Sequence, residues 1–240
     1  MKEEYVKWYT KYLDRDFEML VFGDSGYPLI LFPTSHGRFY ENRDFKLIDS
    51  VANFIDSGKI KVYCPDTFNP QSWYNKSLHP ADRVKSHMGY ENVILHDIVP
   101  FALKETGRDK VAVAGCSFGG YNALNFAFRH PGITGYMFSL SGAFNIKQFL
   151  DGYYDDNCYF NNPPDYIPNL QDENILNQIK QIGIILGAGE IDACKDENFE
   201  LSNMLNSKGI THWMDFRMGE KHDWPSWRRW FPQYVDMMNV

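Results

Sequence analysis

The chain has 240 residues, of which 44% are hydrophobic and 16% aromatic, and a formal net charge of −7. That length suffices for one buried core, the hydrophobic fraction excludes a disordered chain, and the acidic balance excludes nucleic acid as an electrostatic partner. No apolar run reaches the ~20 residues that span a bilayer, and the charged start Met1-Lys2-Glu3-Glu4 lacks the apolar stretch of a signal peptide.

In chain order, residues 5–13 and 17–22 read as a hairpin turning at Asp14-Arg15-Asp16. Residues 27–32 form an unbroken apolar run, the pattern of a strand buried on both faces, and lead into Pro33-Thr34-Ser35-His36-Gly37-Arg38. Residues 45–56 carry helical spacing through Leu47, Ile48, Val51 and Ile55, closed by Gly58. Residues 61–64 are a short strand ended by Pro65. Residues 91–104 are helical through Val93, Ile94, Ile98 and Ala102, with a kink expected at Pro100. Residues 110–114 are a strand, 121–128 a helix stopped by His130-Pro131, and 135–140 a strand. Residues 181–187 and 212–218 are further strands; residues 192–206 and 224–237 are helices, the last with Pro225 in its first turn. Alternation of strand and helix after a hairpin predicts an α/β class: a mostly parallel central sheet, an N-terminal antiparallel hairpin, and helices on both faces. The chain, 1–240, reads as a single domain with two irregular insertions, at about 65–87 and 146–172.

The most specific signal is Gly115-Cys116-Ser117-Phe118-Gly119-Gly120, between a strand and a helix. A serine with a glycine two residues away on each side, at such a turn, reads as a nucleophile elbow: the turn strains the serine backbone and lifts its Oγ clear of the sheet. A serine hydroxyl needs a base within hydrogen-bond reach and a third group to orient that base. In this topology the order along the chain is serine, acid, histidine. Two loops past strand ends supply the partners, Ala188-Gly189-Glu190-Ile191-Asp192 and Gly219-Glu220-Lys221-His222-Asp223-Trp224. Ser117, Asp192 and His222 are therefore the expected triad, with Glu190 the rival acid; Asp196 falls in the following helix and Asp223 at a helix start. His130, before a proline at a helix end, suits the helix dipole instead. The oxyanion donors expected are the backbone N–H groups of Phe118 and of Ser35, in the loop after the third strand.

These residues carry a resemblance. Gly115–Gly120, Arg129-His130-Pro131, Ser139-Leu140-Ser141-Gly142-Ala143 and Gly219 through Trp224, with Trp227-Arg228 after it, resemble the esterase family of α/β hydrolases that includes esterase D-like S-formylglutathione hydrolases, feruloyl esterases and mycolyltransferases. The resemblance covers most of residues 17–238. It implies the α/β-hydrolase fold, acyl chemistry, and the roles of nucleophile, base and acid for Ser117, His222 and Asp192. Where many members carry His-Gly after the third strand, this chain reads Phe32-Pro33-Thr34-Ser35.

The sequence thus points to a serine esterase working through an acyl-enzyme on a small-molecule ester. The alternatives are an acyltransferase with the same triad and an inactive ligand-binding protein on the same scaffold. The two insertions are expected to border Ser117, because both leave strand ends on its edge, and Tyr40, Trp73, Tyr153 and Trp224 are the aromatics expected near the substrate. Cys64, Cys116, Cys158 and Cys194 show no metal-ligand spacing, so no metal or other cofactor is expected, and free thiols suit the cytoplasm. Self-association into a homo-oligomer stays open.

Overall fold

The continuous apolar runs become the central strands of a single sheet. The computed structural model describes residues 1–240. Its strands are β1 (Glu3–Thr10), β2 (Arg15–Phe22), β3 (Tyr27–Phe32), β4 (Ile60–Pro65), β5 (Val111–Cys116), β6 (Thr134–Leu140), β7 (Gly183–Ile191) and β8 (Trp213–Lys221), in the order β1-β2-β4-β3-β5-β6-β7-β8. β1 with β2 and β2 with β4 run antiparallel, and every other neighbouring pair is parallel. Every residue of β3, β4 and β5 is buried, which is why these strands read as uninterrupted rather than alternating.

The helices are α1 (Glu41–Asp44), α2 (Leu47–Ser50), α3 (Ala52–Asp56), α4 (Pro80–Val93), α5 (Val99–Thr106), α6 (Phe118–Arg129), α7 (Asp156–Tyr159), α8 (Pro163–Tyr166), α9 (Glu173–Ile179), α10 (Lys195–Ser207) and α11 (Trp224–Asp236). Strand alternation sorts side chains into two cores. Ile30, Phe32, Val111 and Val113 face α4, α5 and α6, whereas Leu29, Leu31, Ala112 and Ala114 face α2, α3 and α11. Trp230, Phe231 and Tyr234 of α11 are completely buried, and side chains of this size contribute about 1.5–3 kcal/mol each on burial. No helix is long and apolar enough to cross a membrane.

Several boundaries differ from the sequence expectation. The hairpin turns earlier, over residues 11–14, with Asp14 in the left-handed region at φ 50°. The helix expected over 45–56 is broken into α2 and α3, with Lys46 at φ 63° just ahead of them. The 65–87 insertion contains most of α4, started by Pro80 and capped by His79, whose Nδ1 accepts from the Ala81 N–H at 3.2 Å. Its inward face holds Arg83, His87 and Glu91 beside its apolar residues, so no apolar stripe marked it in sequence. Pro100 lacks the N–H of an ordinary helical bond, and a wider π turn over Ile94–Ile98 precedes it. β7 and β8 extend to Ile191 and Lys221, past the apolar pattern, with a register shift between Gly189 and Ile191.

Candidate active site

The turn between β5 and α6 consists of one residue, Ser117, at φ 55° and ψ −123°. A non-glycine residue with positive φ stores on the order of 1–3 kcal/mol of strain, sustained only where the surroundings over-determine it. Here three glycines do so. A Cβ on Gly115 would lie 2.3 Å from the Gly119 carbonyl carbon, one on Gly119 2.7 Å from the Pro33 carbonyl oxygen, and one on Gly120 2.5 Å from Ser139 Oγ. The helix start is thus pressed against β3, β5 and β6 closely enough to exclude any side chain.

His222 follows β8 directly and is fixed from both sides. Asp223 caps α11 by accepting from the Ser226 N–H at 2.9 Å, and Ser226 Oγ accepts from the Lys221 N–H at 3.1 Å. His222 Nε2 lies 2.9 Å from Ser117 Oγ, and its Nδ1 lies 2.8 Å from Asp192 Oδ1. The imidazole rests edge-on against Trp227 with ring centres 5.1 Å apart, while Trp227 Nε1 donates to Ser141 Oγ at 2.9 Å. Asp192 Oδ1 also accepts from the Cys194 N–H at 2.8 Å. The Asp192 side chain is 0% exposed and that of His222 28%, so the carboxyl is sequestered while the imidazole reaches solvent. Burial pushes the Asp192 carboxyl up, but His222, the nearby Ser141 hydroxyl and the Cys194 N–H outweigh it and hold the group below its usual range.

Glu190 does not approach His222: it is exposed, and its Oε2 accepts from the Gly219 N–H at 2.9 Å. Asp196 lies in the first turn of α10. Two thiols stand near the row. Cys116 is buried, and burial pushes it well above the ordinary thiol range. Burial, then the charges of Asp192 and Glu197, push Cys194 up to about 12. Neither is a ready nucleophile.

The backbone N–H groups of Phe118 and Ser35 make no hydrogen bond within the protein. The loop that carries Ser35 is held at two points. Glu41 accepts from the Thr34 N–H and the Thr34 hydroxyl, both at 2.8 Å, and Tyr74 OH donates to Ser35 Oγ at 2.7 Å. Tyr74 also packs on His36, Phe118 and Phe149, with ring centres at 4.4, 5.6 and 4.7 Å.

The aromatics expected near a substrate separate into different environments. Tyr40 is 38% exposed, edge-on to Phe39. Trp224, two residues past His222, stacks on Phe45 with ring centres 4.7 Å apart and planes at 7°. Tyr153 packs on His79 and donates to Asp155 at 2.9 Å. Trp73 is completely buried against His87 and Tyr121, so a bound molecule cannot touch it without rearrangement; its neighbour Tyr74 turns toward the Ser35 loop instead. Tyr74 is the residue that sequence reading missed, and only the adjacent Trp73-Tyr74 pair hinted at it. Two clefts of about 400 Å³ each lie away from Ser117, one beside Trp8 and Phe101 and one beside Ile182 and Trp213.

Comparison with known proteins agrees with this architecture. No curated protein sequence matches the chain. Among solved structures, a ferulic acid esterase superposes with a TM-score of 0.77 at 18% identity, covering 98% of this chain and 96% of the other. MPT51 of Mycobacterium tuberculosis gives 0.75 at 14% identity, covering 98% and 97%. An S-formylglutathione hydrolase from Staphylococcus aureus gives 0.68 at 16% identity, also covering 98% and 97%. These likenesses establish the α/β-hydrolase fold. Residues 25–238 match the family described as "Putative esterase". The chain belongs to that family and is a carboxylic ester hydrolase of the α/β-hydrolase fold.

Proposed function

We propose that the chain hydrolyses carboxylic esters of small molecules through an acyl-enzyme formed on Ser117. The observation that carries this reading is the continuous row Ser117 Oγ, His222 Nε2, His222 Nδ1 and Asp192 Oδ1, with separations of 2.9 and 2.8 Å. With Nδ1–H donating to Asp192, neutral His222 presents an unprotonated Nε2 to the serine hydroxyl. It takes the Ser117 proton as Oγ attacks the ester carbonyl, and Asp192 stabilises the resulting imidazolium. The tetrahedral oxyanion is stabilised by the Phe118 N–H and, from the facing loop, the Ser35 N–H. Collapse of the intermediate transfers the proton from His222 to the leaving alcohol. His222 then deprotonates a water, which attacks the acyl carbonyl, and Ser117 departs with its proton restored.

The names of the structural neighbours, ferulic acid esterase and S-formylglutathione hydrolase, suggest hydroxycinnamoyl esters and short acyl thioesters as the first substrates to try. Tyr40, just ahead of α1, and Trp224, the first residue of α11, are half-exposed aromatics proposed to contact the substrate; Tyr153, on the outer insertion, is a weaker contributor. Four unpaired cysteines suit work in the cytoplasm. A fluorophosphonate probe tests the core of the reading. It should label the wild type stoichiometrically and leave Ser117→Ala unlabelled; labelling that survives Ser117→Ala, or a wild type that never reacts, overturns it.

A further inference from the structure

One side chain next to this row has no part in the proposed reaction. The ligand-capable atoms of Asp192, Cys194 and His222 all lie within 4.8 Å of one another. Asp192 Oδ1 is their hub, meeting His222 Nδ1 at 2.8 Å and the Cys194 backbone N–H at 2.8 Å. Asp192 Oδ2 is buried and makes no hydrogen bond of ordinary length, although the Ser141 hydroxyl stands near the carboxylate. A carboxylate oxygen free of a close donor is an open position for a cation. Cys194 is only partly buried, so an ion reaches the cluster from its side. Thiolate, imidazole and carboxylate together are the donor set of Zn²⁺ and similar borderline-soft ions.

We propose that Asp192, Cys194 and His222 form an inhibitory binding site for a thiophilic divalent cation of the Zn²⁺ class. The cation takes the place of the proton that His222 Nδ1 shares with Asp192. Bonds form to Cys194 Sγ, His222 Nδ1 and an Asp192 oxygen, with water completing the tetrahedron. The Cys194 S–H proton leaves to solvent, and the His222 proton moves from Nδ1 to Nε2, so one proton is released and nothing is oxidised or reduced. Ligand bonds of about 2.0–2.1 Å to both Nδ1 and Oδ1 at a tetrahedral angle need about 3.4 Å between those atoms. The observed 2.8 Å must therefore open slightly, or the carboxylate must turn to present Oδ2. Inhibition follows from the tautomer. With Nε2 protonated, His222 donates to Ser117 Oγ and cannot accept its proton. That consequence rests on the proposed hydrolytic reading; cation binding does not.

Co²⁺ and Zn²⁺ titrations of the metal-stripped full chain test the site. Co²⁺ bound by the wild type should give the near-ultraviolet thiolate-to-cobalt charge-transfer band, and Cys194→Ala should lose it while the buried Cys64, Cys116 and Cys158 remain. Zn²⁺ should inhibit ester hydrolysis, and Cys194→Ala should raise the half-inhibitory concentration about tenfold or more, each protein referred to its own metal-free rate. Absence of the band overturns the proposal, as does equal inhibition of both proteins, which would put the ion on His222 Nε2 alone. A wild type that shows the band but never hydrolyses an ester retains the cation site and refutes the hydrolase reading instead.

Discussion

The molecule contains two histidine–carboxylate pairs of similar burial. In one, His222 meets Asp192 at 2.8 Å, with side chains 28% and 0% exposed; in the other, His130 meets Glu91 at 2.5 Å, with side chains 21% and 8% exposed. Both carboxyls are pushed up by burial and held down by their partners, Glu91 to about 2. The difference lies in what else each pair meets. Glu91 is also bonded by Arg129 at 2.8 Å, a permanent cation that neutralises it whatever the state of His130. Asp192 has no such cation, so its charge serves the imidazole, whose other nitrogen faces a strained serine hydroxyl. A buried acid beside a histidine is therefore not chemistry in itself. Under the proposed hydrolysis it becomes so when the acid is unneutralised and the far ring nitrogen meets a nucleophile.

The sharpest way to break this contrast is at the nucleophile. Ser117→Ala should lower kcat/KM for ester hydrolysis by about 10⁶-fold with the fold intact by circular dichroism, since residues acting as a unit fail together; turnover near the wild-type level would remove Ser117 from the reaction. Asp192→Asn should lower kcat by about 10⁴-fold by favouring the wrong imidazole tautomer. Glu190→Gln, altering an exposed group bonded to the Gly219 N–H, should leave steady-state kinetics nearly unchanged. Losses in the opposite order would move the acid to Glu190.

The other pair should respond in stability instead. Glu91→Gln leaves Arg129 with a neutral partner in a largely buried site and should destabilise by about 3–5 kcal/mol in urea denaturation, with kcat per folded molecule unchanged. A selective loss of kcat there would erase the distinction between the pairs. Next to it, His87 is lowered from 6.5 to about 4, burial being the main cause. A histidine kept neutral by the fold protonates more readily when unfolded. Its contribution is therefore complete above about pH 6.5, lost as pH falls toward about 4, and worth on the order of 3 kcal/mol. Glu91, depressed from 4.5 to about 2, loses its contribution only in the lower window between those values. Stability of His87→Gln measured by denaturation across pH 7 to 4.5 should be flatter than that of the wild type; parallel curves would contradict the assignment.

The smallest effect is expected at the loop facing Ser117. Tyr74→Phe removes one hydrogen bond to Ser35 Oγ, about 1 kcal/mol, and should lower kcat roughly fivefold with KM little moved. Trp73→Phe, one residue earlier but fully buried, should lower the melting temperature and leave kcat alone. Equal kinetic effects of the two would show that the loop is held by general packing rather than by the Tyr74 hydroxyl.

What the residues determine by themselves is whatever depends on neighbours along the chain. Gly115 announces the elbow because the clash that demands it, with the Gly119 backbone four residues on, is local, whereas Gly119 and Gly120 answer to Pro33 and Ser139 at neighbouring strands. β3 and β5 are legible because burial on both faces leaves no polar position. The order serine, acid, histidine is likewise written along the chain. Tertiary structure decided whatever depends on twist, register and cross-chain polar contacts. Glu190 and Asp192 lie two residues apart past the same apolar run, and only the extension of β7 and its shifted register with β8 direct one to Gly219 and the other to His222. α4 stayed hidden because its inward face is satisfied by ion pairs and hydrogen bonds from Asp151, Arg129 and the chain near Phe149, distant residues that no local pattern reveals. The exchange of Trp73 for Tyr74 has the same cause: adjacent residues point in different directions, and which one enters the core is set by the side chains already packed there.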